Sequence, residues 1–304
     1  MNDLVVLGRE APAKPKRQER PDWLKIRLAT PATYRKVRKL VDDLSLHTVC
    51  QEARCPNIYE CWGEHGTATF MILGDTCTRR CGFCSVKSGR PPLGPDPNEP
   101  TNVAEAVDVM GLQHAVITSV DRDDLPDRGA EHFAQTIRAI HERSPGTAVE
   151  ILTPDFRSVE VEALDTVLAT QPEVFSHNME TVPRMYRAAR PGSSFERSLG
   201  LLRDAAERRD AGTYNGRVKT AVMVGLGETD AELEETIVTI RQAGVEILAV
   251  GQYLQPTKEH LPVDRFVTPE RFDEIREFAL AQGYRHCVAG PLVRSSYHAH
   301  EHVR

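Results

Sequence analysis

The chain has 304 residues, 40% of them hydrophobic and 27% charged, with a formal net charge of −6 at pH 7. That length suits one main domain with extensions, since single α/β barrels commonly run to roughly 250 residues. No apolar run approaches the roughly 20 residues a membrane helix needs, and the opening MNDLVVLGRE lacks the basic n-region and small-residue cleavage site of a secretory signal, so the expected setting is cytoplasmic with no membrane contact.

In chain order, the first feature is a basic arm. Residues 1–40 hold eleven Lys or Arg (Arg9, Lys14, Lys16, Arg17, Arg20, Lys25, Arg27, Arg35, Lys36, Arg38 and Lys39) against four acids. Pro and Lys dominate its first twenty residues, which reads as a solvated tail or as a docking surface for an acidic protein. Nucleic acid is not expected, because the rest of the chain is acidic and no aromatic residues are interleaved for base stacking.

Six of the seven cysteines then fall between positions 50 and 84. A cytosolic chain with an odd number of cysteines argues for metal or redox chemistry rather than a disulfide framework. Cys50, Cys55 and Cys61 form C-x4-C-x5-C ahead of the first strand candidate, ATFMIL (68–73). Cys77, Cys81 and Cys84 follow that strand as C-T-R-R-C-G-F-C. Three thiolates at such gaps can wrap three corners of a cubane cluster and leave the fourth iron open. Zinc would want a fourth ligand, and no further Cys or His lies within the next several residues.

After the Pro/Gly-rich stretch GRPPLGPDPNEP (89–100), β-branched runs alternate with amphipathic stretches. Strands are predicted at 114–120, 148–154, 174–179, 218–225 and 246–254, and helices near 102–111, 130–143, 158–170, 181–211 (broken at Pro191-Gly192), 230–243 and 268–282. Six strands joined by crossover helices predict an α/β fold, a partial (β/α)6 TIM-like barrel (67–283). An N-terminal extension (1–66) and a C-terminal segment (284–304) flank it. Its working face is the set of loops at the carboxyl ends of the strands. Asp75, Asp121 to Asp124, Asp155, Asn178, Glu180, Gly227, Glu228 and Gln255 gather there. His298, His300 and His302 alternate in the tail and read as a frayed polar end.

The C-x3-C-x2-C loop after a first barrel strand resembles the signature of the radical S-adenosylmethionine (SAM) superfamily. The upstream triplet is similar to that of the lipoyl synthase family. Further segments that match the family are TSVDRDDLPD (118–127), EILTPDFR (150–157), NMETVPRMYRAARPG (178–192), VMVGLGET (222–229) and GPLVRSSYHA (290–299). Three positions depart from the family pattern: Gln51 for an acid, Arg128 for a glycine and Ala221 for a glycine. At 128 a glycine would reach φ > 0 at little cost, so Arg128 is expected to alter that loop.

The resemblance implies two [4Fe–4S] clusters and SAM as cofactors. Cys77, Cys81 and Cys84 would carry the cluster whose open iron chelates SAM, and the SAM-contacting candidates are Asn178, Glu180, Gly225, Gly227 and Glu228. Cys50, Cys55 and Cys61 would carry an auxiliary cluster. By residue chemistry its fourth ligand is the remaining thiol, Cys287; the resemblance implies instead Ser296 of the R-S-S-Y motif, a hard oxygen that would make the cluster easier to dismantle. The implied reaction is radical insertion of two sulfur atoms at C6 and C8 of a protein-bound octanoyl-lysine, with the auxiliary cluster as sulfur source. Implied partners are octanoylated lipoyl carrier domains (2-oxoacid dehydrogenase E2 or glycine cleavage H protein) and an electron donor such as ferredoxin or flavodoxin. The rival readings are a methylthiotransferase or biotin-synthase-like enzyme, which would place its auxiliary cysteines differently, and a two-cluster electron carrier, which needs neither an open iron nor a barrel.

Overall fold

The computed structural model describes residues 19–24, 32–44, 46–52, 55, 57, 58, 61, 68–297 and 299. Arg9, Lys14, Lys16, Arg17, Lys25 and Arg27 of the basic arm, and His298, His300 and His302, lie outside the described residues. No helix among the described residues is long and apolar enough to cross a membrane.

Helix α1 (Ala32–Asp43) leads into a short strand β1 (His47–Thr48) and a single turn, α2 (Val49–Glu52). Strand β2 (Ala68–Ile72) follows, then a parallel bridge between β3 (Thr76–Cys77) and β4 (Lys87–Ser88) that brackets the second cysteine triplet. The alternation proper runs α3 (Glu99–Met110), β5 (His114–Ser119), α4 (Ala130–Arg143), β6 (Ala148–Leu152), α5 (Glu160–Leu168), β7 (Val174–Ser176), α6 (Tyr186–Ala189), α7 (Phe195–Asp210), β8 (Arg217–Val224), α8 (Asp230–Gln242), β9 (Ile247–Gln252), α9 (Pro269–Ala281) and β10 (His286–Gly290).

All six expected strands form, and they pair in parallel in sequence order, β2-β5-β6-β7-β8-β9. β1 adds antiparallel at one edge and β10 parallel at the other. β10 is a seventh parallel strand within the stretch read as the C-terminal segment. Its HCVAG is short and led by a polar residue, which hid it from a reading built on β-branched runs. The strands are buried on both faces, as a parallel sheet covered by helices requires; every residue of β2 and β9 is buried.

Local chemistry sets the helix ends. Thr229 and Glu232 form a reciprocal capping box on α8, and Thr268 caps α9. The long predicted helix over 181–211 is divided where expected: α6 ends before Pro191-Gly192, and Ser194 restarts the chain by accepting from the Arg197 N–H at 3.1 Å. Inside the barrel Lys219 is fully buried, its Nζ 2.6 Å from Glu150 Oε1.

Candidate functional site

A cavity of about 280 Å³ opens at the carboxyl ends of β5 to β7. Three stretches of chain far apart in sequence reach it. The N-terminal extension brings Cys50 and Cys55, the loop after β2 brings Cys77, Cys81 and Cys84, and the C-terminal segment brings Arg294, Ser295 and Ser296. Asn178 and Glu180 line it from the end of β7.

The second triplet is tightly fastened. Thr78 N–H and Oγ1 both donate to Asp121 O at 2.9 Å, Gly89 N–H to Cys77 O at 2.8 Å, and Gly82 N–H to Ala189 O at 2.8 Å. At the loop's centre sits Arg79, its side chain only 4% exposed. It forks onto Asp123 with two 2.8 Å bonds, meets Asp155 Oδ1 at 2.7 Å and reaches Asp121 Oδ1 at 3.4 Å. One guanidinium thus gathers the aspartates that end β5 and β6, the fork geometry for which arginine is suited. Burial works against the Asp155 carboxylate, yet Arg79 and the Ser193 hydroxyl hold its pKa well below the usual range. Desolvation pushes Asp121 up despite Arg79.

Burial and the neighbouring Asp121 carboxylate push the Cys77 thiol up to about 12, and burial raises Cys81 and Cys84 as well. Backbone N–H groups of Arg79 and Asp121 nevertheless point at Cys77 Sγ, each at 3.4 Å. Such thiols do not ionise by themselves near neutral pH; a cationic metal centre that displaces their protons supplies the missing compensation. Among the described residues no three His, Cys, Asp or Glu side chains are arranged around a single metal ion, whereas a cubane takes each thiolate at a separate iron. Ser119 Oγ, Thr153 Oγ1 and Asn178 Oδ1 line the cavity, are buried, and have no hydrogen-bond partner among the described residues, so a polar ligand fits there. The residues present therefore suit an iron–sulfur cluster with a polar cofactor beside it.

Beside these, Arg190 is buried and donates to Asn178 O at 2.8 Å, with His177 Nε2 and Ser198 Oγ each at 3.3 Å. His177 Nδ1 lies 2.9 Å from the Thr153 carbonyl, which fixes it as donor and leaves Nε2 to accept. Glu180 stands in the left-handed region at φ 65°, accepts from Asn178 Nδ2 at 3.2 Å, and has its carboxyl pushed up by burial. A non-glycine residue held there is the kind of backbone strain that clusters at working sites.

The first triplet is assembled differently. Asn57 Nδ2 donates to Leu292 O at 2.7 Å, Thr69 Oγ1 to Ser296 Oγ at 3.0 Å, and Ser85 Oγ to Glu52 O at 3.0 Å. The C-terminal segment can come this close because β9 carries Gly251: a Cβ there would stand 2.1 Å from Val293 O. Val293 packs with Ala221 and Ala249, which gives Ala221 a packing role. Burial lowers the Arg294 pKa, with Cys55 close enough to oppose that shift.

Of the residues singled out in the sequence, Cys50, Cys55, Cys77, Cys81, Cys84, Ser296, Asn178 and Glu180 meet in the cavity. Cys61 does not line it; it sits one helical turn beyond Asn57, its N–H 2.9 Å from Asn57 O. Cys287 is buried within the hydrophobic core, its thiol pushed up to about 12, and does not line the cavity. Gly225, Gly227 and Glu228 also stand away from its lining: the Glu228 carboxylate accepts from Gly225 N–H at 2.7 Å and Leu226 N–H at 2.9 Å, closing the turn after β8. Arg128 takes φ 57°, and its guanidinium donates to the Asp123, Leu125 and Arg157 carbonyls. Sequence reading missed Arg79 and Arg190; an arginine inside a cysteine loop that faces three strand-end aspartates was the available signal for the first.

Comparison with known proteins agrees with this geometry. Residues 71–240 match the radical SAM superfamily, and residues 7–55 match the N-terminal domain of lipoyl synthase of the radical SAM family. The chain is 53% identical to lipoyl synthase of Rubrobacter xylanophilus over 97% of this chain and 91% of that protein. It is 52% identical to that of Chlorobaculum tepidum over 92% and 94%. The fold resembles methylornithine synthase (TM-score 0.53, 14% identity, covering 85% of this chain and 82% of that one). It also resembles an FeFe-hydrogenase maturase from Carboxydothermus hydrogenoformans (TM-score 0.52, 14% identity, 86% and 64%). With half-identical relatives spanning nearly its whole length, the chain belongs to the lipoyl synthase family of radical SAM enzymes.

Proposed function

We propose that this cavity holds two [4Fe–4S] clusters and SAM, and that the chain inserts two sulfur atoms at C6 and C8 of an octanoyl group carried on a lysine of a partner domain. Cys77, Cys81 and Cys84 would hold one cluster with an iron left for SAM. Cys50, Cys55, Cys61 and Ser296 would hold the other, so that the extension (1–66) and the C-terminal segment (284–304) form two halves of one auxiliary site beside the barrel. When bound, these cofactors supply the low-potential electron, the radical that takes hydrogen from unactivated C–H bonds, and the sulfur. The observation that carries the reading is that three stretches of chain bring five cysteines and Ser296 to one cavity.

The protein's own task is positioning. Arg79 ties the cysteine loop to β5 and β6. Asn178 and Glu180 are the groups we assign to SAM; Gly225, Gly227 and Glu228 hold the turn behind them. Val49, Met71, Phe83, Val86 and Leu152 add apolar lining, which suits an octanoyl chain and keeps water from a radical. Two SAM molecules are consumed per product, one for each carbon.

The acceptor is an octanoylated carrier domain, of the 2-oxoacid dehydrogenase E2 or glycine cleavage H protein type. A ferredoxin or flavodoxin serves as donor, in a reducing cytoplasmic setting that keeps the thiols available. Arg35, Arg38 and Lys39 are exposed on α1; neutralising them together with Lys36 is expected to raise KM for the carrier, and unchanged kinetics would remove that role. Function itself is tested by mass spectrometry of an octanoyl-lysine peptide after a single turnover, with iron and sulfide counted before and after. Lipoyl product with loss of one cluster is expected. Intact octanoyl peptide from reduced, iron-replete protein would sink the reading.

A further inference from the structure

A second cavity, of about 510 Å³, reaches the same cysteine loop. It shares Cys81, Cys84, Val86 and Ser88 with the main cavity, but its remaining lining is different: Arg80, Gly82, Ser85, Ala188, Glu259 and His260. Cys81 and Cys84 therefore line both cavities, with the backbone of residues 81–84 between them. At its centre Gly82 has no side chain, and a Cβ there would stand 2.9 Å from Ala188 O and 3.0 Å from Leu261 Cγ. Surface elements bond straight onto that backbone: Leu261 N–H donates to Gly82 O at 2.9 Å, and His260 Nε2 donates to Cys84 O at 2.7 Å. His260 Nδ1 then accepts from Thr257 Oγ1 at 2.8 Å.

The rim of this groove is cationic on a chain of net charge −6. Arg80 lines it, Arg187 precedes Ala188 and Lys258 precedes Glu259; all three are exposed. None of the three has a carboxylate partner among the described residues. Some exposed arginines are paired, as Arg184 is with Glu232, Arg138 with Glu131 and Arg143 with Asp108, whereas Arg90, Arg157, Arg203 and Arg285 are exposed without a carboxylate partner among the described residues. Lys87, beside Ser88, lies 3.6 Å from Asp75, and Glu259 is the acid in the lining. Arg80, Arg187 and Lys258 thus outnumber Glu259 around this groove.

We propose that this groove docks the reductant, a small acidic protein carrying a low-potential one-electron centre. The inference rests on the radical SAM reading above. Each SAM cleavage would take one electron from the reductant, whose centre is oxidised by one electron. The cluster that Cys77, Cys81 and Cys84 would hold would pass it to SAM, whose sulfonium C–S bond would break to leave methionine with the electron pair and the adenosyl carbon with the unpaired electron. Electron transfer weakens steeply with distance, so it favours a groove that Cys81 and Cys84 themselves line. The other acidic protein in play, the octanoylated carrier domain, has a different requirement: its acyl chain must enter the main cavity, and from this groove it would meet the backbone of 81–84 first.

The test compares cluster-loaded wild-type protein with the Arg187→Glu, Lys258→Glu double variant; neither residue lines the main cavity or contacts a cysteine. With a flavodoxin as probe, titration calorimetry should show binding about tenfold weaker in the variant, and wild-type binding that fades as salt rises, as for rim charges that steer association. Formation of 5′-deoxyadenosine should fall by a similar factor with reduced flavodoxin and stay unchanged with dithionite. Equal flavodoxin affinity in the two proteins, or an equal loss with dithionite, overturns the proposal. So does a raised KM for the carrier domain with flavodoxin binding intact, which would give the groove to the carrier. If wild-type protein fails to cleave SAM even with dithionite, the functional reading fails instead, and the calorimetry still decides the docking.

Discussion

Two cysteines of the first triplet and all three of the second share a cavity, but the two triplets are built in different ways. Cys77, Cys81 and Cys84 lie on one short loop, clamped by backbone hydrogen bonds on both sides and by Arg79 on three aspartates. Cys50 lies on a single helical turn, and Ser296, more than two hundred residues further along the chain, lines the same cavity as Cys50 and Cys55, with Thr69 bonded to Ser296 and Asn57 to Leu292. A site that must survive every turnover gains from rigid local supports. A site whose cluster is to be dismantled gains from walls that can separate. The contrast supports the proposal that the loop would keep its cluster and the seam would give its cluster up.

The sharpest test of that division is a pair of variants. Cys81→Ala should abolish 5′-deoxyadenosine formation altogether, because the loop cluster loses a corner. Ser296→Ala should leave SAM cleavage within about a factor of three of wild type while lipoyl product falls by more than tenfold, an order of magnitude consistent with weakening a metal-site ligand or its support. Chromatography of deoxyadenosine and mass spectrometry of the peptide read the two activities separately. Equal loss of both in Ser296→Ala would dissolve the distinction.

Arg79 comes next. Replacing it with Met leaves Asp121, Asp123 and Asp155 without their shared cation, and removing one partner of a buried ion pair typically costs about 3–5 kcal/mol. A thermal unfolding midpoint lowered by several degrees is expected, with Arg79→Lys recovering part of it because a point charge keeps the attraction but not the fork. An Arg79→Met protein with unchanged melting would show that the loop is held by its backbone bonds alone.

The seam should be sensitive to bulk rather than charge. Gly251→Ala places a methyl group against Val293 O, and overpacking of this kind costs about 1–3 kcal/mol. The C-terminal segment is the part free to give way. Iron bound per protein should drop toward one cluster while SAM cleavage persists. Full iron content in this variant would mean the segment is not needed to hold the auxiliary site.

How far the sequence spoke for each region follows from the same contrast. The loop was legible because its ligands are consecutive: C-T-R-R-C-G-F-C after a β-branched run carries both spacing and position. The six strands were legible because parallel strands buried on two faces must be runs of apolar, β-branched residues. The seam was half legible. Residue chemistry alone pointed to Cys287 as the partner of the first triplet and the family resemblance to Ser296; β10 buries the thiol in the core, while Ser296 lines the cavity. Arg190 was hidden for a related reason, since nothing local in A-A-R-P-G says that its side chain turns back to Asn178 and His177.

The smallest predicted effect separates the regions by pH. His177 belongs to the rigid side: it bonds Thr153 O and stands beside Arg190. Burial, helped by the Arg190 cation, lowers its pKa from 6.5 to about 3. In the unfolded chain the imidazole takes up a proton near its ordinary value, so between about pH 6.5 and 3 the unfolded state binds more protons than the native one. Native stability is therefore whole above that window and falls as pH drops through it, by at most about 1.4 kcal/mol per pH unit for one such group. His177→Gln cannot be protonated and keeps a donor for Thr153 O. The gap between wild-type and variant urea midpoints should accordingly narrow from pH 7 to pH 4.5, with the wild type losing the more. Parallel curves would mean that His177 is charged in the native protein, and that Arg190 does not face an imidazole acceptor.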